Sequence, residues 1–201
     1  MGVQERRLRE KAKLRQEILD AARDLFVKEG YEAVSMRKIA ERIEYSPTTI
    51  YLHFKDKEEI FDCLCEETFA KLEKKLQSVQ LGDSLEGLKQ GLRAYVDFGL
   101  KHPNHYRITF LSRQAHVSRS PVSRRKEAGC RSFDCMQNCV ASLIAKGEIT
   151  DSNADKVSQA LWCAVHGVTS LLIVHPDFPW VAKDKLIDQV IDSMVDSFKR
   201  S

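Results

Sequence analysis

The sequence predicts an all-α protein of nine helices, and three observations carry that prediction. Apolar residues recur at three- and four-residue spacing along nearly the whole chain, and strict apolar–polar alternation is nowhere sustained. Ser, Asp, Pro and Gly fall at the edges of these periodic segments, where helix ends need them. The 201 residues, 43% hydrophobic and 30% charged, suffice for one or two domains with a sizeable core.

The elements follow in order. Segment 11–29 carries Ile18, Leu19, Ala22, Leu25 and Phe26 as one stripe, and Gly30 closes it as a left-handed cap. Ser35 caps a short helix over 36–43. Ser46 caps the next, with Pro47 at the first helical position, where its missing N–H costs nothing; this helix reaches about residue 53. Asp56, with Glu59 three residues on, caps a helix over 57–77. Further helices are expected near 84–101, 103–112, 121–146, 152–174 and 182–199. Pro103 and Pro121 open two of them, Gly147 closes one, and Pro176 and Pro179 bracket a turn. Residues 112–120 are the most loop-like.

Net charge is only +3, so its distribution is more informative than its sum. Residues 1–15 hold six Lys/Arg against two Glu, and residues 101–131 hold eight against one acid. These are either two phosphate-facing patches, or one patch and one solvated loop. The first is an arm of Arg6, Arg7, Arg9, Lys11, Lys13 and Arg15 expected ahead of the first helix. The N-terminus runs into charge instead of an apolar secretory segment. The apolar run 160–174 falls short of the roughly 20 residues of a membrane span. A cytoplasmic location is expected. Six cysteines lack zinc spacing and a C-x2-C pair; they read as small buried apolar residues, with a sensor built on Cys130, Cys135 and Cys139 as the alternative. No metal or cofactor is expected.

Residues 35–54 carry the chemistry. Ile39, Ala40 and Ile43 face inward from one short helix and Ile50 from the next, with the small Ala40 where the helices cross. Two short helices joined by three or four residues match a helix-turn-helix, whose second helix enters the major groove of DNA. Its exposed residues here are Pro47, Thr48, Thr49, Tyr51 and Leu52, which are short or flat enough for close approach.

The run Ser35-x-Arg37-x-Ile39-Ala40, then Ser46-x-x-Thr49-Ile50-Tyr51-x-His53-Phe54, then Lys57-Glu58-Glu59-Ile60 resembles the signature of the TetR family of transcriptional regulators. With Phe26 and Gly30-Tyr31 the likeness covers about 50 residues. The resemblance implies that Ser35, Arg37, Ser46, Tyr51, His53 and Lys57 hold phosphates, and that Pro47, Thr48, Thr49 and Leu52 meet base edges. It also implies an N-terminal three-helix DNA-binding domain at 1–56 and a helical ligand-binding and dimerisation domain at 57–201. Two departures stand out. Glu44 occupies a turn position where the family has Gly, which implies a slightly different turn or a carboxylate turned from the duplex. Thr48 replaces a common Gly on the reading helix.

The segment 160–167 resembles a W-x3-H-G pattern in one branch of the family, carried here by Trp162, His166 and Gly167. Family likeness implies a homodimer through helices 152–174 and 182–199, with Ile187, Val190, Ile191, Met194, Val195 and Phe198 along the last helix's seam. Mid-helix Gly167 suggests close approach by a neighbouring helix. Tyr95, Phe98, Tyr106, Phe110, Phe133, Met136, Trp162 and His166 are either core or the lining of a pocket for a small-molecule effector. No nucleophile motif, phosphate loop or metal spacing points to an enzyme. The expected function is a regulator, a repressor released from a palindromic DNA operator when the effector binds.

Overall fold

The computed structural model describes residues 2–79, 84–116 and 124–199. Among these the chain forms helices α1 (Val3–Glu29), α2 (Met36–Arg42), α3 (Pro47–Tyr51), α4 (Lys57–Gln77), α5 (Leu85–Lys101), α6 (Pro103–Tyr106), α7 (Arg113–His116), α8 (Arg124–Ala145), α9 (Ala154–Val174) and α10 (Lys183–Asp196). A wide π turn, Arg107–Leu111, continues α6, and α7 follows directly. With α6, the π turn and α7 taken as one broken helix, nine helical segments stand where nine were expected. No strand appears among the described residues; one isolated bridge joins Ile149 to Lys199. Gly82 and the expected helix opener Pro121 lie outside the described residues.

Three features differ from expectation: α7 stands within 112–120, the stretch expected to be most loop-like, and the other two lie at the ends of α1. The basic arm does not precede α1 but forms its first turns, from Val3. Arg, Lys, Glu and Leu are good helix formers, and the pairs Arg6–Glu10 and Lys13–Glu17 sit one turn apart. At the other end of α1, Gly30 has φ 84 and ψ 155. That positive φ favours glycine, but at ψ 155 it is not the left-handed helical cap expected.

The chain divides into two compact units. One comprises Met1–Thr68 and Asn104–Arg125, the other Phe69–Pro103 and Lys126–Ser201. In the first, Ile18, Ala22, Ile39, Ala40, Ile50, Ile60 and Leu64 are buried in one cluster with Phe54 and Phe61. Phe26, Tyr31 and Phe61 form a ring triangle with centroids 5.3–6.0 Å apart. Full burial of each large apolar side chain stabilises the unit by about 1.5–3 kcal/mol relative to exposure. Arg23, itself buried, bonds Asp20 at 2.6 Å and Glu67 at 2.8 Å, tying α1 to α4.

In the second unit α5, α9 and α10 pack on one another. Leu88, Leu92, Val96 and Phe98 of α5 and Val157, Leu161, Val165 and Leu172 of α9 are buried. Ile187, Ile191 and Val195 of α10 are buried as well. That corrects the seam expected on α10: these three face their own core. The half-buried stripe is Leu186, Val190 and Met194. Arg93 of α5 reaches Asp184 and Asp188 of α10 at 2.5 and 2.6 Å, and Lys89 reaches Asp192 and Asp196 at 2.7 and 3.2 Å. Among the described residues α9 alone is long and apolar enough, by length and composition, to cross a membrane. The run 160–174 had understated it, because the helix starts six residues earlier. It packs on α5 and α10 along one side and leaves Cys163, Leu171 and Val174 exposed on another.

Candidate nucleic-acid interface

Local chemistry builds the two short helices. Ser35 Oγ accepts from the Lys38 N–H at 3.2 Å and starts α2. Ser46 Oγ accepts from the Thr49 N–H at 3.2 Å and starts α3, with Pro47 in its first turn. Each bond satisfies a backbone donor that the helix start leaves unpaired. The turn between them is closed by two hydrogen bonds. Tyr45 N–H donates to Ala40 C=O at 3.0 Å, and Glu44 N–H donates to Glu41 C=O at 3.3 Å. This pair of bonds requires a left-handed residue just past the helix end, and Glu44 supplies it with φ 61. The turn therefore keeps the geometry that glycine would serve; it does not adopt a different one. Ile39, Ala40 and Ile50, all fully buried, pin the helices together.

The outward side chains are then fixed. Pro47, Thr48, Tyr51 and Leu52 are exposed, as are Ser35 and Arg37. Thr49 is half-buried, and its Oγ1 lies 2.9 Å from Ser46 Oγ. Arg37 Nε donates to Glu41 at 2.9 Å on the surface. Tyr45, absent from the sequence-based candidates, is also exposed. Its place in the turn was legible; its exposure depends on the two closing bonds.

Two candidates have duties of their own in this unit. Lys57 Nζ donates to the Tyr31 and Val34 carbonyls at 2.8 and 2.9 Å and lies 4.1 Å from the Tyr31 ring centroid. It thereby caps the α1–α2 connection, leaving one ammonium hydrogen for another partner. Burial pulls its pKa below the usual lysine range, against the pull of Glu32. His53 is held below the usual histidine range by burial, then by the cations of Lys11 and Arg15. Its Nδ1 is buried without a hydrogen-bond partner. Arg15 stacks over the Phe54 ring, 4.6 Å from its centroid, and donates to Cys63 Sγ at 3.1 Å. No sequence periodicity marks the contacts of Arg15 with Phe54 and Cys63 or of Arg23 with Glu67, because these partners are 39 to 48 residues away.

The eight pocket candidates divide. Tyr106 and Phe110 lie in the first unit, with ring centroids 4.7 Å apart. In the second, Trp162 Nε1–H donates to Tyr95 Oη at 3.3 Å, and Tyr95 Oη lies 3.3 Å from His166 Nδ1. Phe133 meets Trp162 edge-on at 6.0 Å. Met136 is half-buried, and Phe98 is buried beside His102 at 5.1 Å. Cysteine burial is mixed, contrary to expectation: Cys65 and Cys139 are buried, whereas Cys130 and Cys163 are exposed. No cluster of potential metal ligands occurs among the described residues.

Comparison with known proteins decides the family. Residues 18–64 match the model of bacterial regulatory proteins of the tetR family. Residues 88–198, more than half the chain, match the tetracyclin repressor-like C-terminal domain. The chain belongs to the TetR family. Among curated TetR-family relatives, the transcriptional repressor AcnR of Corynebacterium efficiens is 33% identical over 81 residues, covering 40% of this chain and 43% of AcnR. AcnR of Corynebacterium diphtheriae is 41% identical over 58 residues, covering 29% of this chain and 30% of the relative. The chain thus spans less than half the length of these relatives. The TetR-family regulator PfmR of Thermus thermophilus superposes with a TM-score of 0.74 at 19% identity, over 91% of this chain and 99% of that one. At that identity the likeness establishes the fold. The matched segment 18–64 contains the whole α2–turn–α3 unit, so this helix-turn-helix is that of the family.

Proposed function

We propose that the protein is a homodimeric repressor that binds a palindromic operator and leaves it when a small molecule binds the helical C-terminal domain. The observation that carries the reading is the assembled α2–turn–α3 unit, with both serine caps in place, Ile39, Ala40 and Ile50 buried beneath it, and a row of outward side chains. Ser35, Arg37, Ser46, Tyr51, His53 and Lys57 hold phosphates, and Pro47, Thr48, Thr49 and Leu52 face bases. Residues 1–56 read DNA; residues 57–201 dimerise and bind effector. Tyr95, Trp162 and His166 form the polar end of the effector site and Phe133 an apolar wall. The protein works in the cytoplasm and carries out no catalytic step.

The dimer seam runs along α9 and α10. Cys163, Gly167, Leu171 and Val174 share one side of α9, and a Cβ built on Gly167 meets nothing within 4 Å. Leu186, Val190 and Met194 continue the seam on α10. Two-fold symmetry then presents two α3 helices to successive major grooves, about 34–36 Å apart. The test is gel-shift titration of the full chain against DNA flanking its own gene, at several salt concentrations. A protected palindrome and steep salt dependence are expected. Absence of any retained fragment would refute the reading.

A further inference from the structure

We infer that the outward face of α3, extended by Tyr45, reads thymine methyl groups, so that the operator half-sites are A·T-rich where this helix meets the major groove. The inference rests on the DNA-binding reading above and adds what kind of base edge is recognised.

The argument starts from what α3 lacks. Bidentate recognition of guanine needs Arg or Lys, and that of adenine needs Asn or Gln. Residues 47–52, Pro-Thr-Thr-Ile-Tyr-Leu, contain none of the four. Ile50 is buried, and the Thr49 hydroxyl is engaged with Ser46. What stands outward is apolar surface: Tyr51 is 56% exposed, Leu52 73% and Tyr45 45%. These three fall within eight positions, and none of them is buried among the described residues. Tyr45 is not a floppy turn residue, because its N–H is held by the Ala40 carbonyl at 3.0 Å.

Exposed Arg42 precedes the segment and Lys55 follows it, Arg37 is paired with Glu41, and the carboxylates of Glu44 and Asp56 are exposed beside them. An apolar centre with a cation on either side, Arg42 and Lys55, each unpaired among the described residues, suits a surface with anionic rims and methyl groups on its floor. The major groove is such a surface at thymine, the one base presenting a methyl there. Leu52 and the ring edge of Tyr45 are the contacting groups, the Thr48 methyl adds to them, and Tyr51 borders them on the phosphate side.

The test begins with selection of bound sequences from random duplex DNA by the full chain. Each thymine of the enriched half-site is then replaced by deoxyuridine, which removes the methyl and keeps the base pair. Binding is expected to weaken about four-fold for each contacted methyl removed, the fold-change for burying one such carbon. Leu52→Ala, at an exposed position the fold does not depend on, should erase the difference between the two bases at the position it touches. Tyr45→Ser should do so at another. Half-sites dominated by G·C pairs, or deoxyuridine substitution without effect on a bound operator, would overturn methyl reading while leaving DNA binding intact. Failure to enrich any sequence would overturn the DNA-binding reading, and this inference with it.

Discussion

Replacing Glu44 with glycine should make the protein more stable and its DNA complex tighter. Glu44 holds φ 61 at the end of α2 because the two closing hydrogen bonds demand it. For a residue with a Cβ that conformation costs about 1–2 kcal/mol. Glycine removes the cost but loses about 0.4–1 kcal/mol through the freer unfolded chain. The net gain is about 0.5–1 kcal/mol, or roughly 1–4 °C in Tm for a chain of this size. The carboxylate also leaves the turn between the two DNA-facing helices. A unit charge about 8 Å from a phosphate interacts by roughly 0.5 kcal/mol in water, about two-fold in affinity at low salt. Thermal unfolding followed by circular dichroism and a low-salt DNA titration measure the two effects. Glu44→Ala separates them: it should tighten DNA binding like glycine but leave the strain and so the Tm gain unrealised. Equal Tm values for the glycine and alanine variants would refute the strain argument.

Three further outcomes follow from particular contacts. Arg23→Met removes the bonds from buried Arg23 to Asp20 and Glu67 and should lower stability by about 2 kcal/mol, as read by urea denaturation. His53 has a folded pKa below its unfolded value of about 6.5, so the unfolded state binds its proton first; stability is full above pH 6.5 and falls as pH drops through the folded pKa, and His53→Gln should flatten that decline between pH 7 and 5 in a Tm–pH series. Gly167→Leu fills space that is open in the single chain and should yield a folded monomer by analytical ultracentrifugation; an undisturbed dimer would remove Gly167 from the seam.

How much of this was legible in the sequence depended on the range of the interaction concerned. Ser35, Ser46 and Asp56 act on backbone groups three residues away, and each was readable as a cap. The Ile39, Ala40 and Ile50 core followed from helical spacing. Glu44 was visible as a departure, but whether the turn would yield or the residue would strain needed the observed φ. Ile187, Ile191 and Val195 share an apolar stripe that looks the same whether it faces its own core or a second subunit. Periodicity reports that a face is apolar and not what covers it. Arg15 and Lys57 bind groups on distant segments, as Arg23 does with Glu67, so these partners could not be read from spacing. The broken helix at 103–116 escaped because a π turn leaves no compositional mark.

The division of α9 bears on how an effector could act. Trp162 and His166, joined through Tyr95 of α5, lie on the same helix as Cys163, Gly167 and Leu171. The two sets are offset by about a quarter turn, because neighbouring residues on a helix differ by roughly 100°. A ligand inserted among Tyr95, Trp162 and His166 would have to part α9 from α5 or rotate it. The core behind α9, with Leu161, Val165 and Leu172 buried, is close-packed and cannot absorb such a shift locally. The displacement therefore passes to the exposed side of the same helix, which is the proposed seam. On this reasoning the effector changes the angle between subunits and not the fold of either, and coupling must run both ways. Operator DNA should weaken effector binding by the same factor by which effector weakens operator binding, and a Gly167 variant that abolishes dimerisation should keep effector affinity while losing that reciprocity.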